Sequence, residues 1–69
     1  MRLEILLEPS GVEADNTLME CLETFCLSIR PDNLVEIDPD RCFEVLAALR
    51  GRCYDQGLTI DVKFHGKAD

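Results

Sequence analysis

The sequence predicts one small α/β (α+β) domain, a two-layer sandwich with a three-stranded sheet, two helices on one face and the order β-α-β-α-β. Three observations carry that reading. Apolar and polar residues alternate over Arg2 to Glu8, Leu34 to Asp38 and Leu58 to His65, the period of a strand with one packed face. Apolar residues at helical spacing fill the two intervals between these stretches. Because each strand is apolar on one side only, both helices belong on the same side of the sheet. The 69 residues hold a single core, so residues 1–69 form one domain.

In the first strand Leu3, Ile5 and Leu7 alternate with Arg2, Glu4, Leu6 and Glu8, and Pro9, Ser10 and Gly11 end it. The first helix is expected to begin near Asn16 or Thr17, where Thr17 and Glu20 have the spacing of a capping box. Leu18, Leu22, Phe25, Cys26 and Ile29 then form its apolar stripe, and Pro31 stops it. Val35 and Ile37 point inward from a short second strand, with Glu36 and Asp38 outward. The second helix has the clearest start: Asp38 as cap, Pro39 at the first helical position and Asp40 in the first turn. It should run to about Asp55 with Cys42, Val45, Leu46, Leu49 and Cys53 buried, stopped by Gly57. Leu58, Ile60, Val62 and Phe64 alternate with Thr59, Asp61, Lys63 and His65, and residues 66–69 are expected to fray. Strand order stays open. Helical crossovers of this length favour parallel, right-handed connections, with an antiparallel last strand as the alternative.

Four cysteines raise the question of a metal or a disulfide. Cys42 and Cys53 lie eleven residues apart on one helix, roughly 16 Å along its axis, too far to share either. Cys21 and Cys26 fit a tetrahedral site poorly, and the two-residue spacing of a zinc knuckle is absent. An inter-helix disulfide from Cys26 to Cys42 or Cys53 is compatible with the spacing but not with a reducing compartment. All four are therefore expected to be small apolar core residues. His65, the single histidine, falls on the solvated face without a nucleophile beside it, and the glycines form no phosphate-binding loop. Glu36, Asp38 and Asp61 could share the open face, but a flat exposed carboxylate array keeps its water. The expectation is no enzyme, no catalytic residue, no cofactor and no metal.

Charge is the most informative feature. Residues 1–40 carry ten carboxylates against Arg2 and Arg30, a balance of −8, whereas residues 41–69 stand at +1. The net charge of −7 argues against direct binding to nucleic acid or anionic lipid, and a basic protein is the fitting partner. Glutamates at 4 and 8 interrupt any apolar N-terminal span, which points to a cytoplasmic address. Glu13, Asp15, Asp38 and Asp40 sit where helix N-termini favour negative charge. Glu4, Glu8, Glu20, Glu23, Asp32 and Glu36 have no such local role. Glu4 and Glu8, with Glu36 and Asp38, would make a carboxylate ladder on the open sheet face that imitates a run of phosphates. Leu6, outward between Glu4 and Glu8, and Leu27, on the helix face of Glu20 and Glu23, would add apolar contacts to a partner-binding surface.

On these positions and on its size and charge, the chain resembles the phage-encoded anti-CRISPR proteins, several of which are DNA mimics. The resemblance implies an inhibitor that blocks the DNA-binding site of a CRISPR-Cas effector subunit in the host bacterial cytoplasm. Glu4, Glu8, Glu20, Glu23, Glu36 and Asp38 would then stand in for phosphates. The alternative is a protein-protein interaction module, such as an antitoxin, an adaptor or a small subunit, in which Leu6 and Leu27 dominate. A third class, a redox or metal protein, rests on the cysteines. A monomer is expected in preference to a dimer.

Overall fold

The computed structural model describes residues 1–68 and has the expected order: β1 (Arg2–Pro9), α1 (Val12–Thr24), β2 (Leu34–Ile37), α2 (Pro39–Asp55) and β3 (Ile60–Ala68). The three strands form one antiparallel sheet in the order β2-β1-β3. Directly opposed residues share a face in such a sheet. Leu3 and Ile5 therefore align with Ile37 and Val35 on one side, and Leu7 and Pro9 with Val62 and Ile60 on the other. Both helices cover that face. Ile5, Leu7, Leu18, Cys21, Leu22, Val35, Ile37, Val45 and Leu49 make the core.

The parallel crossover expected of each helix forms only at the second: β2 and β3, both antiparallel to the central β1, run parallel to each other and are joined by α2, whereas β2 runs antiparallel to β1 across α1. The reason lies in α1, which starts earlier and stops earlier than its apolar stripe suggested. Its first bond runs from the Asp15 N–H to the Gly11 carbonyl at 2.9 Å, with Glu13 and Asp15 in the positive first turn. Starting there places Ala14, Thr17, Leu18, Cys21 and Leu22 on one buried face. Thr17 is thus no cap; it lies inside the helix and its hydroxyl donates to Gln56 Oε1 at 3.2 Å. Asp38 does occupy the position before α2, but its side chain caps no N–H and turns to Arg2 instead.

The end of α1 is a Schellman turn. Leu27 N–H reaches the Leu22 carbonyl at 2.9 Å and Cys26 N–H reaches that of Glu23 at 3.0 Å, with Cys26 in the left-handed region at φ 59°. The same bonds recur at the end of α2, where Leu58 binds Cys53, Gly57 binds Tyr54, and Gly57 has φ 70°. Cys26 is consequently exposed, not in the core, while Cys21 and Cys53 are buried and Cys42 is half-buried. Burial pushes the Cys21 and Cys53 thiols up; Arg52 opposes this at Cys21, and Cys21 adds to it at Cys53. The chain leaves the turn along residues 27–30 and reverses through Asn33 at φ 66°, with Arg30 N–H on the Leu34 carbonyl at 2.9 Å. This return beside β2 makes an antiparallel entry into the sheet.

Strand β3 also departs from expectation at both ends. Leu58 belongs to the α2 turn, and residues 66–68, expected to fray, pair with β1, Arg2 opposite Ala68 and Glu4 opposite Gly66. Asp69 lies outside the described residues. A bulge in β3, facing the step from Glu4 to Ile5 of β1, leaves His65 without an opposed residue.

The two turns make a comparison. Cys26 pays the left-handed strain that Gly57 avoids, and it has no core packing to lose. Cys26→Gly should stabilise the protein by about 0.5–1 kcal/mol and Gly57→Ala should destabilise it by about 1 kcal/mol in urea titrations. A less stable Cys26→Gly protein would contradict the turn described.

Candidate functional site

Strand alternation does put Glu4, Leu6 and Glu8 on the face away from the helices, with Glu36 opposite Glu4. The face is nevertheless not a ladder of surplus anions. Arg30 comes back over it from the loop after α1 and donates to Glu36 Oε2 at 3.1 Å, Glu4 Oε2 at 3.0 Å and Asp32 at 3.3 Å. Glu4 retains only 18% of its side-chain exposure and also meets His65 Nδ1 at 3.5 Å. Glu8 lies 3.7 Å from Lys63, which also contacts Asp61 at 3.4 Å. Asp38 lies 3.7 Å from Arg2 Nε. Each sheet-face carboxylate thus has a cation beside it, and the phosphate-like array expected from Glu4, Glu8, Glu36 and Asp38 is replaced by a mixed surface.

The apolar residue of that face is corrected too. Leu6 stands opposite Leu34, which is buried, and Leu6 itself is half-buried; it packs across the strands and is not a free contact. Glu36 and Asp61 lie on strands separated by β1, so the three carboxylates considered for a cation do not converge. Among the described residues, no three metal-ligating side chains come together.

Of the remaining predicted residues, Glu23 and Leu27 come together at the end of α1, and Glu20 lies one turn back on the same helix. Glu20 and Glu23 are exposed on the helix, and among the described residues neither they nor Glu13 and Asp15 have an ion-pair partner. The helix carries four carboxylates and no cation. Leu27 is not on the helix face but just beyond the turn, where it packs on the core and lines a groove of about 100 Å³ with Met19, Leu22, Glu23, Ser28 and Ile29. Met19 is 42% exposed beside it. An apolar groove with Glu23 in its lining therefore survives at the end of α1.

Two functional contributors escaped sequence reasoning. Met19 is one, and its position between Asn16 and Glu23 on the outward stripe was the available signal. Arg30 is the other, and its partner Glu4 stands 26 residues away in the chain, beyond any local pattern. Arg41 is similarly long-range: its guanidinium donates to the Phe25 carbonyl at 2.9 Å and lies 5.9 Å from the Phe25 ring centre, tying α2 to the end of α1.

The Arg30 cluster makes stability pH-dependent with a defined sign. Burial pushes the Asp32 carboxyl up, but the Leu34 N–H and the Arg30 guanidinium outweigh it and hold the group below its ordinary value. Asp32, followed by Glu4, also raises Arg30. A carboxyl depressed in the folded state contributes stability above its unfolded pKa and loses it as pH falls through the folded one. Arg30→Gln should lower the urea midpoint at neutral pH, and its difference from the parent should shrink on acidification through the carboxylate range. A difference that is constant from neutral to acid pH would show that Arg30 does not act through the ionised carboxylates.

The chain matches no protein family, no curated protein and no solved structure.

Proposed function

We propose that the protein is a small inhibitor that docks the acidic face of α1 onto a basic nucleic-acid-binding protein and occludes its nucleic-acid site. An anti-CRISPR acting on a CRISPR-Cas effector in a bacterial cytoplasm is its most specific form. The observation that carries the reading is the placement of Glu20 and Glu23. They sit in the last turns of α1, where the helix dipole disfavours negative charge, with no basic residue in the last turn. Arg41 serves the Phe25 carbonyl and forms no ion pair with either glutamate. Two carboxylates kept against the local electrostatics, one of them lining an apolar groove, are consistent with selection for binding over stability. Charge would steer the encounter, and Leu27 and Met19 would supply the desolvated contact.

Sheet-face mimicry drops out of this reading because Arg30, Arg2 and Lys63 are interleaved with the sheet-face acids. A narrower acidic element remains, one helix long. Among the described residues no helix is long and apolar enough to cross a membrane. A second reading, an adaptor or small subunit without mimicry, is favoured by the groove itself, since Leu27, Leu22 and Ile29 could anchor a partner of any charge.

The experiment is capture of partners from bacterial lysate at low and physiological ionic strength, followed by competition with duplex DNA. Glu20→Lys with Glu23→Lys should stabilise the fold by about 0.3–1 kcal/mol per site while weakening capture about tenfold or more. Captured proteins should be basic, salt-sensitive and released by DNA. Leu27→Asp should weaken capture as well. Retention that is indifferent to the double charge reversal and to DNA, yet lost with Leu27→Asp, would replace inhibition by the adaptor reading.

A further inference from the structure

The two edges of the sheet are treated differently. Strand β2 spans four residues, and its outer side is flanked by residues 27–30, joined through the Arg30 N–H to the Leu34 carbonyl. Strand β3 is nine residues long, and among the described residues nothing pairs with its outer side. Its helix-facing residues Ile60 and Val62 are only half-buried, and Phe64, opposite Ile5 on that same face, is 62% exposed. On α2, Phe43, Ala47, Arg50 and Tyr54 form one stripe by their spacing. Arg50 and Tyr54 share a groove with Leu58, Thr59 and Ile60, so that stripe flanks the β3 side, and Phe43 and Tyr54 are 86% and 84% exposed. A long free edge and an uncovered apolar flank thus coincide.

We propose that this edge pairs with β3 of a second copy, antiparallel about a two-fold axis at Val62, to give a continuous six-stranded sheet. The occupant follows from the strand's own sequence. Centring the axis on Val62 sets Ile60 against the partner's Phe64 on the helix side and Asp61 against the partner's Lys63 on the open side. Apolar residues meet apolar ones, and each cross-strand charge pair is of opposite sign. Moving the axis one residue either way in the strand sets Asp61 against Asp61 or Lys63 against Lys63. Registers of the intervening parity put the two apolar faces on opposite sides of the sheet. One register is therefore selected, and it uses the stretch Ile60 to Phe64, where β3 is regular; the bulge at His65 lies outside it. The dimer replaces the monomer expected from composition. It is independent of the α1 reading, because no α1 residue enters it.

The test is sedimentation equilibrium of the full chain over a wide concentration range, with circular dichroism to confirm folding of each variant. The parent should approach twice 7.8 kDa as concentration rises. Phe64→Glu should leave a folded monomer. Asp61→Lys and Lys63→Asp should each weaken the dimer about tenfold, since each places two like-charged pairs across the interface, and the double swap should restore it. A parent that stays monomeric throughout overturns the proposal, as does a dimer indifferent to Phe64→Glu. A double swap no better than either single variant overturns the register.

Discussion

The turn at Leu22 to Leu27 is the constraint on which the rest of this structure depends. Had α1 continued to Ile29, the chain would have reached β2 from the far end of the helix and been led toward a parallel crossover. Ending at Thr24, with Cys26 left-handed, it turns at once and sends residues 27–30 back along the sheet edge. That return sets β2 antiparallel, brings Arg30 over Glu4 and Glu36, and stands Leu27 beside the exposed side of α1. Left-handed conformation in a residue with a Cβ costs free energy, and here the Leu27 side chain packed on the core, together with two backbone bonds, offsets it.

Charge is partitioned by the same event. The acids on the sheet face are brought within reach of Arg30, Lys63 and Arg2, and Glu4 is held mostly out of solvent among them. Those on α1 have no cation within the helix and no ion-pair partner among the described residues. The net charge of −7 therefore understates how uneven the surface is: a mixed sheet face and an anionic helix. Exposed pairs contribute little each, but Arg30 joins three carboxylates with one side chain, so its ordering entropy is shared between them. That sharing lets the cluster tie the returning loop to both β1 and β2.

What was legible in the sequence was whatever depended on neighbours a few residues apart. The period-two stretches became β1 and β3, and Asp38-Pro39 marked the start of α2, whose bounds run from Pro39 to Asp55. The first helix was misread at both ends for related reasons. Thr17 and Glu20 have capping-box spacing, yet the stripe Ala14, Leu18, Cys21 buries more apolar surface when the helix begins at Val12. At the other end Phe25 and Ile29 do pack on the core, as a helical stripe would, but Phe25 does so from the C-cap and Ile29 from the segment beyond the left-handed Cys26, a position where no glycine announces the turn. At the site, Glu20, Glu23 and Leu27 were found because their charge and polarity were out of place locally. Glu4 and Glu36 were found for the same reason, but the residue that neutralises them comes from a loop whose path the sequence does not encode in any short pattern.

The sheet edges extend the same logic from the chain to its surroundings. An edge strand with both an open ladder and an apolar flank is a hazard unless something blocks it, and folded proteins shorten, cover or charge such edges. On β2 the first two devices are present: four residues, with the loop alongside. On β3 only charge is present, and it alternates in sign, Asp61 then Lys63, instead of repeating one sign. A run of lysines would repel every strand, its own copy included. Alternating signs repel most registers and accept one, so the edge behaves as a selective surface and not as a protected one. With the acidic helix lying outside that register, the two faces of this small domain are free to serve different contacts.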